Sequence, residues 1–202
     1  IPSILLFFFL LSFSSCSTKT VEPELPDANP PAPVIPEEPI PEKEKMLWFD
    51  AEANFERFSK KENITYYLDL AKSTGFNKIV VDVRPVQGDA LFKSSYLTPL
   101  TDLAGIHIER DWDYLQFFID EAHKRELKVT VSTTIFTAGL PSSKNGMAYR
   151  DDTWNGKTCL EYTKDQGLID IKNDKTKVSA FLNPVLPEVQ DFCLNFIKEL
   201  VT

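Results

Sequence analysis

The run from Lys78 to Arg84, Lys-Ile-Val-Val-Asp-Val-Arg, constrains this chain more than any other feature. It is rich in β-branched residues and nearly all apolar, the pattern of a parallel strand buried on both faces. Parallel neighbours need crossover connections, and helix-periodic segments flank the run on either side. Upstream, Leu47-Trp48-Phe49 reads as a short strand that ends in Asp50, Glu52 and Asn54. A helix is then expected from Asn63 as N-cap, with Ile64, Tyr67, Leu68 and Ala71 along one stripe and Gly75 as the stop. Downstream, Leu115, Phe118, Ile119 and Ala122 mark one face of a helix over Asp111 to Arg125, and a third strand follows from Lys128 to Phe136.

Gly139 to about Lys177 reads as a long excursion, with turn signals at Asn145-Gly146 and Asn155-Gly156 and a hairpin strand at Thr158 to Tyr162. A last helix opens at Pro187, with Val189, Phe192, Phe196 and Leu200 as its apolar stripe. Repeated strand-then-helix units imply an α/β fold with right-handed crossovers, which seeds either a doubly wound sheet or an eight-stranded barrel. Both architectures place their site beyond the strand C-termini, where the polar residues gather here. A Gly-rich phosphate loop is missing from the sequence, which weighs against nucleotide chemistry.

The candidate ligand-binding residues are Asp50, Glu52, Asp82, Arg84, Gln87, Asp89 and Trp154. Val80, Asp82 and Arg84 share one face of the central strand. Asp82 and Arg84 can therefore pair with each other or grip hydroxyl and carboxylate groups of a ligand. Trp48, Trp112 and Trp154 offer aromatic planes on which a sugar ring can stack. Of these, Trp48 is assigned to core packing and Trp154, in the excursion, to a ligand-facing position. His123 falls on a helix beside Lys124 and Arg125 as a surface or packing residue. No Cys/His cluster has metal-ligand spacing, so neither a metal nor a cofactor is expected. A net charge of −8 without a basic run argues against nucleic acid as a partner.

Two segments precede the folded part. Residues 1–16 read as a secretory leader: Ile4 to Phe13 is almost uninterruptedly apolar, too short to span a bilayer, and Phe13-Ser14-Ser15-Cys16 resembles the lipobox of a bacterial lipoprotein, with Phe in place of the usual Leu. Cys16 is then the lipidation site and the membrane a partner through the lipid. The chain opens on Ile1 without a Met or a basic stretch, so the leader is expected to begin earlier. Residues 17–45 are rich in Pro and Glu and read as an extended, disordered spacer. Cys159 and Cys193 remain, and the sequence leaves their pairing open.

Gly75 to Pro85 followed by Gly88 to Ser94 resembles the second-strand signature of the glycosyl hydrolase-like 10 family. Glu121 to Arg125 matches that family's next helix, and Leu182 to Val189 its later Asn-Pro turn and helix. The resemblance spans Met46 to Thr202 and implies the N-terminal portion of a (β/α)8 TIM barrel. It implies a glycoside hydrolase carried on cell-envelope lipoproteins, with a carbohydrate substrate. Its catalytic acid is expected on a strand after the Asn-Pro helix, past Thr202, because a full barrel takes ~250 residues. Many members carry a His and an Asn-Pro pair on the third strand, where this chain reads Val131-Ser132-Thr133-Thr134-Ile135-Phe136. Roles attached to those residues do not carry over. A glycosidase is the leading reading; a noncatalytic glycan-binding lipoprotein and an envelope scaffold stand beside it.

Overall fold

The computed structural model describes residues 43–202; the leader, Cys16 and nearly all of the Pro/Glu-rich segment lie outside these residues. The chain runs β1 (Met46–Phe49), α1 (Lys61–Ser73), β2 (Lys78–Asp82), a hairpin of β3 (Asp102–Leu103) and β4 (Ile106–His107), α2 (Tyr114–His123) and β5 (Lys128–Ser132). Then come the single turn α3 (Met147–Arg150), a second hairpin of β6 (Leu160–Thr163) and β7 (Gly167–Asp170), and α4 (Pro187–Val201). β1, β2 and β5 form one parallel sheet in that order, so each strand lies beside its predecessor in the strand-helix series. The fold is mixed α/β, and among the described residues the sheet is open, with β1 and β5 at its edges.

The helix boundaries follow from end chemistry more than from stripe periodicity. α1 begins at Lys61, earlier than Asn63 suggests, because Asn63 spends its amide on the Arg57 carbonyl at 2.8 Å from inside the first turn. Its C-terminus is the one expected: Gly75, at φ 87°, donates to Lys72 O while Phe76 donates to Ala71 O, closing the last carbonyls. α2 is capped by Asp113, whose carboxylate accepts from Gln116 N at 3.0 Å, so the helix starts at Tyr114. Pro187 opens α4, and Val189, Cys193 and Phe196 are its buried stripe.

Side-chain alternation sorts the sheet into two faces. Leu47, Phe49, Ile79, Val81 and Val83 point into the core with Ile64 and Leu68 of α1 and Phe118 and Ala122 of α2. Phe118 is the hub, 5.1 Å from Phe49, 5.9 Å from Phe58 and 4.9 Å from Tyr114 between ring centres. Burying one such ring contributes about 2–3 kcal/mol. Trp48 must point the other way, and it is 59% exposed. That corrects its assignment to the core: alternation sets Trp48 on the face opposite Leu47 and Phe49, away from the core they share with α1 and α2.

The excursion is anchored where it leaves and returns. Thr137 pairs with Phe181 and Thr158 with Leu182, so the hairpin hangs from two points. Cys159 and Cys193 are free thiols that donate to Leu182 O and Ile135 O. Gly146 is the tightest contact: an added Cβ would stand 2.3 Å from Gly139 Cα and 2.8 Å from Gln87 O, at a φ of 108°. Gly146→Ala is therefore expected to lower stability by about 2 kcal/mol through backbone displacement, read as a fall in melting temperature of about 5 °C.

Candidate functional site

The strand register assembles a rim. Phe49 pairs with Val81 and Asp82 with Ser132, so Asp50, Asp82 and Ser132 end adjacent strands side by side. The chain after β1 then folds over this rim. Asp50 Oδ1 accepts from Ala53 N at 2.8 Å, and the backbone N–H groups of Ala51 and Arg84 favour the charged form of the Asp82 carboxyl. Asp50 and Glu52 are exposed, and Asp82 is half-buried between them and the strand ends. Glu52 also lines an open cleft of about 390 Å³ against the β3–β4 hairpin, together with Phe55, Arg57 and Lys60.

Asp82 differs chemically from an ordinary surface carboxylate. Partial burial pushes its carboxyl above the usual range; the two backbone N–H groups oppose the change, and the charges of Asp50 and Glu52 add to it. An acid tuned this way keeps its proton to a higher pH, the property a proton donor needs.

The other residues read from the sequence divide between a second place and the interior. Asp89 is buried and takes a two-pronged ion pair from Arg150, with Nη1 at 2.7 Å from Oδ1 and Nη2 on Oδ2. Gln87, also buried, donates to the same carboxylate at 2.9 Å from beneath. Asp89, Arg150, Tyr96, Met147 and Trp154 line a cleft of about 140 Å³. Trp154 packs edge-on against Phe192 at 4.7 Å while one side faces this cleft.

Arg84 belongs to neither group. Its side chain has no exposed surface, so it does not pair with Asp82 and does not reach a ligand. Nη1 donates to Thr134 O and to Ile135 O at 3.1 Å, Nη2 to Thr137 O at 2.6 Å, and the guanidinium lies 5.1 Å from the Phe196 ring centre. Burial pushes its pKa down to about 10. Arg84 thus fixes the chain after β5 and shapes the rim from inside.

Two residues that pair near the start of α2 were not singled out from the sequence, Tyr114 and Arg110, whose guanidinium lies 5.7 Å from the Tyr114 ring centre. The signal lay in the capping: with Asp113 as N-cap, Tyr114 becomes the first helical residue, at the end of α2 nearest the strand termini.

Comparison with known proteins places these residues in a family. The family model for glycosyl hydrolase-like 10 matches residues 44–202. An S-layer-related protein of Niallia circulans is 32% identical over 167 residues, covering 79% of this chain and 10% of that protein. Glycosyl hydrolase DigH of Escherichia coli K12 is 29% identical over 137 residues, covering 67% of this chain and 30% of that protein. The chain thus spans less than a third of either relative. A solved structure of a hypothetical protein from Ruminiclostridium thermocellum aligns with a TM-score of 0.48 at 16% identity, covering 77% of this chain and 69% of that one. By the family match across its described region, the chain belongs to the glycosyl hydrolase-like 10 family.

Proposed function

We propose that this protein is a glycoside hydrolase of the cell envelope acting on a polysaccharide or oligosaccharide, and that the Asp50–Asp82 rim holds the sugar. The observation that carries the reading is the half-buried Asp82 carboxyl at the strand ends of a glycosyl hydrolase-like chain, flanked by two further carboxylates. Glycosidic cleavage uses an acid and a second carboxylate across the scissile bond. Asp82, Asp50 and Glu52 supply one wall of such a site, and the catalytic partner is assigned to a later strand of a closed (β/α)8 barrel. The exposure of Trp48 on the second face of the sheet supports that closure, since parallel sheets are ordinarily buried on both sides. The Asp89–Trp154 cleft serves as an outlying sugar contact, with Trp154 presenting an aromatic plane. Cys16 anchors the protein through lipid, a reading that rests on Ser14-Ser15-Cys16 following the apolar run Ile4 to Phe13.

The intact protein incubated with a panel of envelope and storage glycans is expected to release reducing ends from at least one. Binding without release would replace the hydrolase by a glycan-binding protein, and neither binding nor release would sink both. In the same cells, labelled palmitate is expected on the wild type and not on Cys16→Ala.

A further inference from the structure

The cleft beside Asp89 is lined by two aromatic residues from different segments, Tyr96 from the loop after β2 and Trp154 from the chain after α3. Tyr96 is 49% exposed, so its ring is free to meet a ligand. Helix α4 supports both. Trp154 rests edge-on against Phe192, and seven positions further along, on the same side of the helix, Glu199 holds the loop. Glu199 Oε1 accepts from Ser95 N at 2.6 Å and Oε2 from the Ser94 hydroxyl. The same Ser94 oxygen accepts from Tyr96 N at 3.1 Å and Leu97 N at 3.0 Å, so the turn presenting Tyr96 is tied to a carboxylate 104 positions after Ser95.

Arg150 supplies the polar side of this cleft. Its Nη1 and Nη2 each donate to Asp89, and its remaining donors have no protein partner among the described residues. The Arg150 side chain is 34% exposed against 3% for Asp89, so the paired edge is the buried one and the unpaired donors are the accessible ones. The ion pair cancels the charge and fixes the guanidinium, and Asp151 lines the same cleft. Such a site suits neutral hydroxyl oxygens better than an anion, and a pyranose offers them together with apolar C–H faces that stack on aromatic rings.

We propose that this cleft is a subsite for one neutral pyranose unit, with Tyr96 and Trp154 against its C–H faces and Arg150 donating to its hydroxyls, and that Glu199 is a positioning residue acting through Tyr96. The assignment rests on the carbohydrate reading given above and does not depend on catalysis.

The test is calorimetric binding of the intact protein to cellohexaose, chitohexaose and xylohexaose, with hexagalacturonate as the acidic comparison. At least one neutral hexaose is expected to bind. Tyr96→Ala is expected to raise its dissociation constant about 10-fold at an unchanged melting temperature, and Tyr96→Phe, which keeps the ring, to stay within about twofold of wild type. Glu199→Ala is expected to raise it about fivefold alone and to add nothing in the Tyr96→Ala background, because nothing is then left to position. Should Glu199→Ala fail to fold, Ser94→Ala breaks the same link. Wild-type binding by Tyr96→Ala, additive effects of the two substitutions, or a preference for hexagalacturonate overturns the proposal. Turnover is scored separately: the stated binding pattern without hydrolysis removes the hydrolase reading alone. Hydrolysis with binding indifferent to Tyr96→Ala removes the subsite alone, and binding to no hexaose removes both.

Discussion

Replacing Arg84 with alanine is expected to cost about 4 kcal/mol and to lower the melting temperature by about 10 °C. The substitution empties a fully buried volume next to Phe196 and strips donors from the carbonyls of Thr134, Ile135 and Thr137. Those carbonyls belong to the segment that carries the chain from β5 into the excursion, so the Thr137–Phe181 anchor is expected to loosen with them. Calorimetric melting of the intact protein checks this. A variant that melts like the wild type but binds glycan more weakly would return Arg84 to direct ligand contact, which its complete burial opposes.

Asp82→Asn is expected to lower kcat/KM on the glycan found in the screen by about 100-fold, while leaving the fold intact. The amide keeps the shape of the carboxyl but carries neither the charge nor the transferable proton. Its stability should move in the opposite direction from its activity. A carboxyl whose folded pKa is raised contributes stability below its unfolded value, and that contribution is lost as pH rises through the folded value. At neutral pH the ionised, half-buried Asp82 is therefore a net cost. Asp82→Asn should melt about 2 °C above wild type there, and the advantage should vanish as the pH falls below about 4. Melting curves of both proteins at pH 4 and pH 7 decide it. An Asn variant with full activity would remove Asp82 from the proposed chemistry.

The periodic features were legible because they are local. The stripe Ile64, Leu68 and Ala71, the Gly75 stop and the Val189–Phe196 stripe each depend on neighbours within a turn or two, and each reappears in the structure. Trp48 was read wrongly because alternation fixes only that it opposes Leu47 and Phe49; which face the helices cover is not encoded in β1 alone. The start of α1 was missed because Asn63 resembles a cap by residue type while bonding back to Arg57 from within the helix. The β3–β4 hairpin was missed as well, since two-residue strands carry too few positions for any period to show.

Sequence alone determined the α/β order of elements, the helix faces and the rim where polar side chains follow the strands, because each rests on short-range periodicity and end chemistry. Tertiary structure decided which of those polar residues reach solvent. Asp82 and Arg84 sit two positions apart, yet one opens onto the rim and the other disappears beneath it, since the terminal nitrogens of a guanidinium on a long stem reach carbonyls about fifty residues away. Asp89 found Arg150 across a separation of 61 positions. Partners so far apart along the chain are chosen by packing, and no local pattern records the choice.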